Sequence, residues 1–591
     1  MKRKLRGLIT GAILITVVFG SLSCKKMFDL QPEDALGIDQ AYRNVYDADA
    51  AVIGIYGKVM NIADRYMILN ELRGDLEEVT PNADKFLKQI SNHQVTADNP
   101  WANPKPFYEI IINCNDALKN FDLMLKDKRL SQADYNIRYS EIGAMRSWIY
   151  LQVGIHYGTV PYVTEALENV QDLKDESKFQ RIPFEQLLEK LIQFTEALPS
   201  KQPMPAGTSL LSALDSYNTS RMFVNKFLLL GDLHLWKGNY SQAAAYYKTM
   251  MEYSDVLYPS KDTEFYFNTF NIGGNQSQLS GNNWSRIFAG SFGERFSNYE
   301  NIWMLPFDKK FSPSNPFIKL YAPESEYLIK PSVLSEKNWN DETRGDDSPV
   351  DVNRGNGRSY LRINSQPQVY KLIMGYTSLA QPFDKFATTG KWIVYRTALL
   401  HLRMAETANR DGRDKLASAL LNSGIRRTFT PKRLPLSVNV SDIMQSKDVD
   451  PNYYFDGRQG DNPRFRQKYS YNEGIRGRVG LKEALVDSSL YFNMQDKGSE
   501  NKPVTNRLGL TVAMEDLLMN EAARELAYEG NRWPDLIRIA LRREKEAPGS
   551  GKLFLKNTIA KKYIAANLQV PAEVEKLGAD INSWYLPFKW Q

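Results

Sequence analysis

The chain has 591 residues, 42% of them apolar and 24% charged, with a formal net charge of +6. That is the composition of a globular protein, long enough for one large domain or several ordinary ones. Two cysteines, Cys24 and Cys114, and four scattered histidines, His93, His156, His234 and His401, exclude a Cys/His zinc cluster, and no intrachain disulfide is possible if Cys24 is modified. Without Lys2, Arg3, Lys4 and Arg6, which lie in a stretch free of acidic residues, the charge falls to about +2, so there is no electrostatic case for a nucleic-acid partner.

The basic start leads into an apolar stretch, Leu8 to Leu22, of about 15 residues. A membrane-spanning helix needs roughly 20 apolar residues, so the order of basic, apolar and small residues reads as an export signal over residues 1–23. Ser23 before Cys24 supplies the small residue that a lipoprotein peptidase requires, although Ser21 stands where a large aliphatic residue is usual. Cys24 is the expected lipidation site, with an ordinary cleavable signal or an uncleaved anchor as the alternatives. Each buried acyl methylene adds about 0.8 kcal/mol of membrane affinity. Residues 24–40 then read as a lipidated tether.

From Asp47 to Met60 the spacing of Ala51, Ile55, Val59 and Ile62 predicts a helix, and Glu109 to Leu125 predicts another. Within 131–157, Ile142, Met145, Ile149 and Val153 recur at helical spacing until Gly158 and Pro161 stop the pattern. Residues 218–252 read as a helix pair: Phe223, Phe227, Leu230 and His234 line the first helix, Lys237-Gly238-Asn239 makes the turn, and Ala243, Ala244, Tyr247 and Met250 face the second. A second pair spans 393–427 with its turn at Asp411-Gly412. These are degenerate stacked helical repeats without a regular period. Residues 255–392, dense in Gly, Asn, Ser, Pro and aromatics, read as loops and short strands, and 428–505 as a second irregular insertion. A helix is expected again over 513–529, before an aromatic, apolar end.

Four segments together resemble the SusD/RagB family of nutrient-binding lipoproteins. They are Cys24 to Pro32, Glu141 to Pro161 (an Arg-bearing aromatic helix running into a Tyr-Gly-x-Val-Pro turn), Arg396 to Arg427, and Asn520 to Leu536. In the last, Ala522-Ala523-Arg524 displaces the first arginine of the family pattern, and Tyr585-Leu586-Pro587-Phe588 is similar to a shortened form of its closing element. The resemblance implies a mainly α fold over 41–591: a single SusD-like domain, an α-α superhelix of tetratricopeptide-like helix pairs carrying a less regular, ligand-bearing half. It also implies a lipid-anchored protein of the outer membrane, facing the cell exterior. Such a protein binds an oligosaccharide or polysaccharide without catalysis or cofactor and delivers it to a SusC-like TonB-dependent transporter. Binding of peptides, or a lipid-anchored scaffold for other outer-membrane proteins, are the alternatives.

Glu521, Glu525 and Glu529 fall on one helix face, with Tyr528, Arg524, Arg532 and Asp535 close in sequence. Glycosidases use paired carboxylates, but acids interleaved with arginines read better as an ion network tying helices together. Arg146, Arg396 and Glu406 read the same way, and no hydrolase, phosphate-loop or metalloprotease signature is present. Asp341, Glu342, Asp346 and Asp347 lack specific Ca²⁺-loop spacing, and no metal is expected. Sugars present apolar C–H faces and a rim of hydroxyls, so their sites want aromatic platforms beside polar groups. On that ground the candidate ligand residues of the insertions are Trp284, Tyr299, Trp303 and Trp339, and the resemblance adds Asp75, Asn82 and Trp101, in loops between helices of a neighbourhood that contributes to the family's ligand face.

Overall fold

The computed structural model describes residues 42–167, 175–205, 207–211, 213–214, 217–252, 281–289, 300–308, 311–374, 390–429, 450–455, 469, 472–487 and 506–589. The expected signal and tether with Cys24, the candidate Tyr299, and most of the 428–505 insertion lie outside them. Among the described residues no helix is long and apolar enough to cross a membrane.

Helix α1 (Val45–Met60) begins on Asn44, whose side chain accepts hydrogen bonds from the Tyr46 and Asp47 amides. This is the usual way to satisfy orphan donors at a helix start. Its Val52, Ile55 and Val59 are buried, and it packs on α2 (Lys105–Lys126) and α3 (Gln132–Tyr157). From Ser140 to Tyr157 every residue of α3 is buried. A helix covered on all sides belongs at the centre of a fold, and α3 has small residues where neighbours come close. A Cβ on Gly154 would run into the Phe184 ring at the start of α4 (Phe184–Glu196).

The helices then stack in order. Helix α4 packs on α5 (Lys226–Lys237), α5 on α6 (Tyr240–Met251), α6 on α7 (Thr397–Arg410), and α7 on both α8 (Asp414–Leu421) and α9 (Arg507–Glu525). Helix α10 (Arg532–Glu546) packs on α11 (Ser550–Ala565). The two helix pairs expected from sequence are therefore α5–α6 and α7–α8, and they touch through α6 and α7 although residues 252–396 intervene. Gly238 closes the α5–α6 turn at φ +87°, a left-handed conformation that costs a residue with a Cβ about 1–2 kcal/mol. Gly238→Ala should therefore lower the thermal midpoint by the equivalent of about 1 kcal/mol, measured by differential scanning calorimetry.

The 255–392 region contributes short strands, as its composition suggests. β1 (Glu77–Val79) pairs antiparallel with β3 (Ile329–Pro331), and β4 (Tyr360–Ile363) forms a hairpin with β5 (Gln366–Val369). β2 (Asn301–Phe307) pairs antiparallel with β6 (Gly390–Arg396), with Trp392 opposite Leu305 and Tyr395 opposite Trp303. β2 is buried along its whole length. β6 runs straight into α7, so the insertion is fastened to the helical scaffold at its end.

The helix expected over 513–529 differs. Helix α9 ends at Glu525, and a turn with Tyr528 at φ +66° and Gly530 at φ +80° leads into α10. The Glu71 carboxylate drives this break: one of its oxygens accepts from the backbone N–H groups of Gly530 (2.7 Å), Asn531 (2.9 Å) and Arg532 (3.3 Å). An acid from far away in sequence thus caps the start of α10. Helices α4, α10 and α11 are additional to the elements expected from sequence, and so, inside the region read as loops and short strands, are the short helices Gly281–Ala289, Pro316–Tyr321 and Val333–Asn340.

Candidate functional site

The carboxylates that invited a catalytic reading are locked among cations. Glu525 accepts from Arg396 (2.7 Å), Arg354 (2.7 Å) and Arg478, and Glu521 from Arg354 (2.7 Å), Arg476 (2.8 Å) and Arg524 (3.0 Å). Glu529, in the turn after α9 rather than on its face, takes Arg396 and Lys371, each at 2.6 Å. Glu300 on Arg396, Asp351 on Arg354, and the half-buried Glu342 on Arg476 and Arg524 complete a set of six carboxylates and six cations, the rest of it buried. Burial alone would raise the Glu525 pKa, but Arg478, Arg396 and Arg354 overcome it and hold it down to about 2. Burial is likewise outweighed at Glu521, by Arg354, Arg524 and Arg476, so that it lies well below the carboxylate range. A general acid needs a carboxyl that keeps its proton near neutrality, and these two are shifted the opposite way.

A second network joins Glu406 to Arg538 (2.6 Å) and Arg542 (2.7 Å), and Asp535 to Arg403. Arg396 and Glu406 are thus both paired, each with other partners. The Arg146 guanidinium donates to Asn115 at 2.7 Å. Glu71 stands apart: burial pushes its pKa up to about 7 against the pull of its three backbone donors. A carboxyl that holds its proton more tightly when folded stabilises the fold fully below its unfolded value of 4.5, and this contribution is lost as pH rises through about 7. Glu71→Gln should therefore flatten the decline of thermal midpoint across that window, read from melting curves at a series of pH values.

The aromatic candidates divide sharply. Trp284, Trp303 and Trp339 are completely buried, a correction to their reading as open platforms. The Trp303 indole stands edge-on to Trp148 (5.0 Å) and its N–H donates to the Met222 carbonyl (2.9 Å), knitting β2 to α3. Trp284 lies against the cations Lys371 (4.9 Å) and Arg396 (5.3 Å), and Trp339 packs between Tyr360 and Tyr528. Asn and Gly beside these tryptophans suggested exposed loops, but the rings turn inward because the insertion needs a core of its own. Asp75 is also corrected: it is buried in an ion pair with Arg532 (2.7 Å).

Asn82 and Trp101 remain at the surface, and the structure links them along one face. Asn99, fully buried, holds the Trp101 loop. Its side chain accepts from the Trp101 amide (2.9 Å) and donates to the Phe86 carbonyl (2.9 Å) and Gln89 (2.8 Å). Pro100 opens the short 3₁₀ turn that carries the half-buried indole. Arg65 donates to the carbonyls of Pro100 (2.9 Å) and Trp101, and its guanidinium lies 5.6 Å from the centre of the Trp101 ring, within cation–π range. Next to it Asp64 is half-buried, and burial raises its pKa against the pull of Arg65 and Lys319. Lys319 pairs with Glu326 (3.5 Å), whose carbonyl accepts from the Asn82 amide (3.0 Å). The face therefore offers one fixed aromatic plane with an acid, two cations, a second acid and an amide along it. Asp64, Arg65, Lys319 and Glu326 carry no sequence signal, since only the packing of the Ala63–Met67 helix on the Pro316–Tyr321 helix brings them together.

Among the described residues no three His, Cys, Asp or Glu side chains gather as a metal site. Asp341 pairs with Lys337 and Glu342 with arginines, Asp346 accepts from Ser348, and Asp347 pairs with Lys482.

No protein-family model and no curated protein matches the sequence. Solved structures do match. A SusD superfamily protein from Bacteroides vulgatus superimposes with a TM-score of 0.54 at 14% identity, covering 91% of this chain and 97% of that one. A surface glycan-binding protein A from Bacteroides uniformis gives 0.52 at 14% identity, over 91% and 99%. A SusD-like carbohydrate-binding protein from Bacteroides fragilis gives 0.51 at 14% identity, over 87% and 88%. The chain has the SusD-like fold, a mainly helical superhelix.

Proposed function

We propose that the protein is a non-catalytic cell-surface receptor for an oligosaccharide or polysaccharide, lipid-anchored in the outer membrane through Cys24. In this reading it passes its ligand to a SusC-like TonB-dependent transporter, with residues 41–591 acting as a single domain. The observation that carries the reading is the Trp101 face: a half-buried indole, fixed by Arg65 and Asn99, on a fold whose solved relatives include proteins described as glycan- and carbohydrate-binding. Sugar C–H faces stack on such a plane while the flanking acid, amide and cations meet hydroxyls. The locked carboxylates support binding without turnover. A scaffold needs no such plane.

The test is a mild-detergent pull-down of the tagged protein from its native membrane, with a glycan array run on the same protein. Recovery of a TonB-dependent barrel and array signal without release of reducing ends is the expected result. An array blank at millimolar glycan, or a preparation lacking the barrel while another outer-membrane complex survives, overturns it.

A further inference from the structure

A second concavity, with none of Asp64, Arg65, Asn82 or Trp101 in its lining, lies where the α5–α6 turn, the start of α4, helix α10 and the C-terminal tail converge; its Tyr157 hydroxyl donates to the Ala102 carbonyl (2.9 Å), beside the Trp101 loop. It encloses about 810 Å³, within the roughly 300–1,000 Å³ usual for small-ligand sites. Four half-buried aromatic rings form its walls: Trp236, Tyr240, Tyr585 and Phe588. Each is held. Trp236 stands edge-on to Phe184 at 5.3 Å with the Arg538 guanidinium at 5.4 Å, and Tyr240 lies 5.2 Å from Arg542. Phe588 meets Tyr157 edge-on at 5.4 Å, and Tyr585 presses on Gly158, where a Cβ would sit 3.1 Å from the ring. Rings with fixed planes lose little entropy when a ligand stacks on them.

The charge of this cleft is not balanced. Lys237 is committed to Glu185 (3.3 Å) and Glu189 (2.7 Å), and Glu546 to Arg410 (2.7 Å). Arg181 and Lys545 are exposed on the lining, and neither forms an ion pair with a carboxylate among the described residues; Arg181 instead covers the Phe588 ring at 4.5 Å. Deeper in, the Arg542 Nε is buried without an acceptor, while its other nitrogens serve Glu406 and the Leu235 carbonyl. An aromatic cleft with uncommitted cations fits a ligand that is both apolar-faced and anionic.

We infer that this cleft is a second glycan site, specific for an oligosaccharide carrying a carboxylate, with the sugar stacked on Trp236 and Tyr585 and its carboxylate met by Arg181 and Lys545. The inference rests on the reading of the protein as a glycan receptor and adds a site and a charge preference to it. It is tested by titration calorimetry of the full chain with trigalacturonate and with 3′-sialyllactose, using maltotriose as the neutral control. The exposed double substitution Arg181→Glu and Lys545→Glu, which leaves the four aromatic walls in place and removes only the Arg181 cover of Phe588, is compared with Trp101→Ala. Saturable binding of either acidic sugar, weakened at least tenfold by the double substitution and by raised salt but not by Trp101→Ala, supports the site. Equal binding of maltotriose, equal binding of hexaglutamate, insensitivity to the double substitution, or loss only in Trp101→Ala overturns it. Absence of binding by both acidic sugars while other glycans still bind overturns this site alone, whereas a wild-type chain that binds no glycan overturns the receptor reading itself.

Discussion

Glu525→Ala should be among the most damaging single substitutions in the protein, costing roughly 3–5 kcal/mol, the range measured when one partner of a buried ion pair is removed. Glu525 is fully buried and answers three guanidiniums, those of Arg354, Arg396 and Arg478. Truncation leaves them facing each other in a low-dielectric interior with one carboxylate too few. Those arginines come from the insertion (Arg354), the strand before α7 (Arg396) and the second irregular region (Arg478), so the loss loosens the junction of both insertions with α9. Calorimetry should show a large fall in thermal midpoint. Lys337→Ala, at the exposed pair with Asp341, should leave the midpoint unchanged, because such pairs contribute little. A Glu525→Ala protein as stable as the parent would mean that the network is dispensable and that α9 is held by packing alone.

Trp101→Ala should weaken glycan binding by roughly 2 kcal/mol, about thirtyfold, the usual cost of deleting an anchoring tryptophan. The fold should survive, because the ring is only half-buried and the loop is held by Asn99, Pro100 and Arg65 through main-chain contacts that the substitution keeps. Trp101→Phe should recover part of the affinity by restoring a smaller plane. Affinity electrophoresis in gels containing the best array ligand reads both effects. Unchanged mobility shifts in Trp101→Ala would place the ligand elsewhere.

Helices with a clean period or a glycine turn were legible in the sequence: α1, α2, α3 and the pairs α5–α6 and α7–α8 fall where Ile, Val, Leu and Ala recur and where Gly158, Gly238 and Gly412 take positive φ. The structural role of Glu521 and Glu525 was legible too, because arginines share their segment. The end of α9 was not, since its cause is Glu71, more than four hundred positions away in the chain. The tryptophans misled for a related reason. Asn-rich flanks describe the backbone around Trp284 and Trp339, whereas the direction of each ring is set by tertiary neighbours such as Lys371 and Tyr528. Trp101 resembles them in sequence but stays at the surface, in a loop held by Asn99 and Arg65.

The contact of α6 with α7 across residues 252–396 has a consequence for how such proteins diversify. Once two helices meet over a long excursion, lengthening it costs little: each doubling of a flexible loop adds only about 0.6 kcal/mol of closure entropy. The frame can therefore absorb added length between α6 and α7, provided that Glu300, β2 and β6 stay in place, since Trp303 packs on α3 and Arg396 takes Glu300, Glu525 and Glu529. Natural selection can lengthen or shorten the excursion without renegotiating the helical frame.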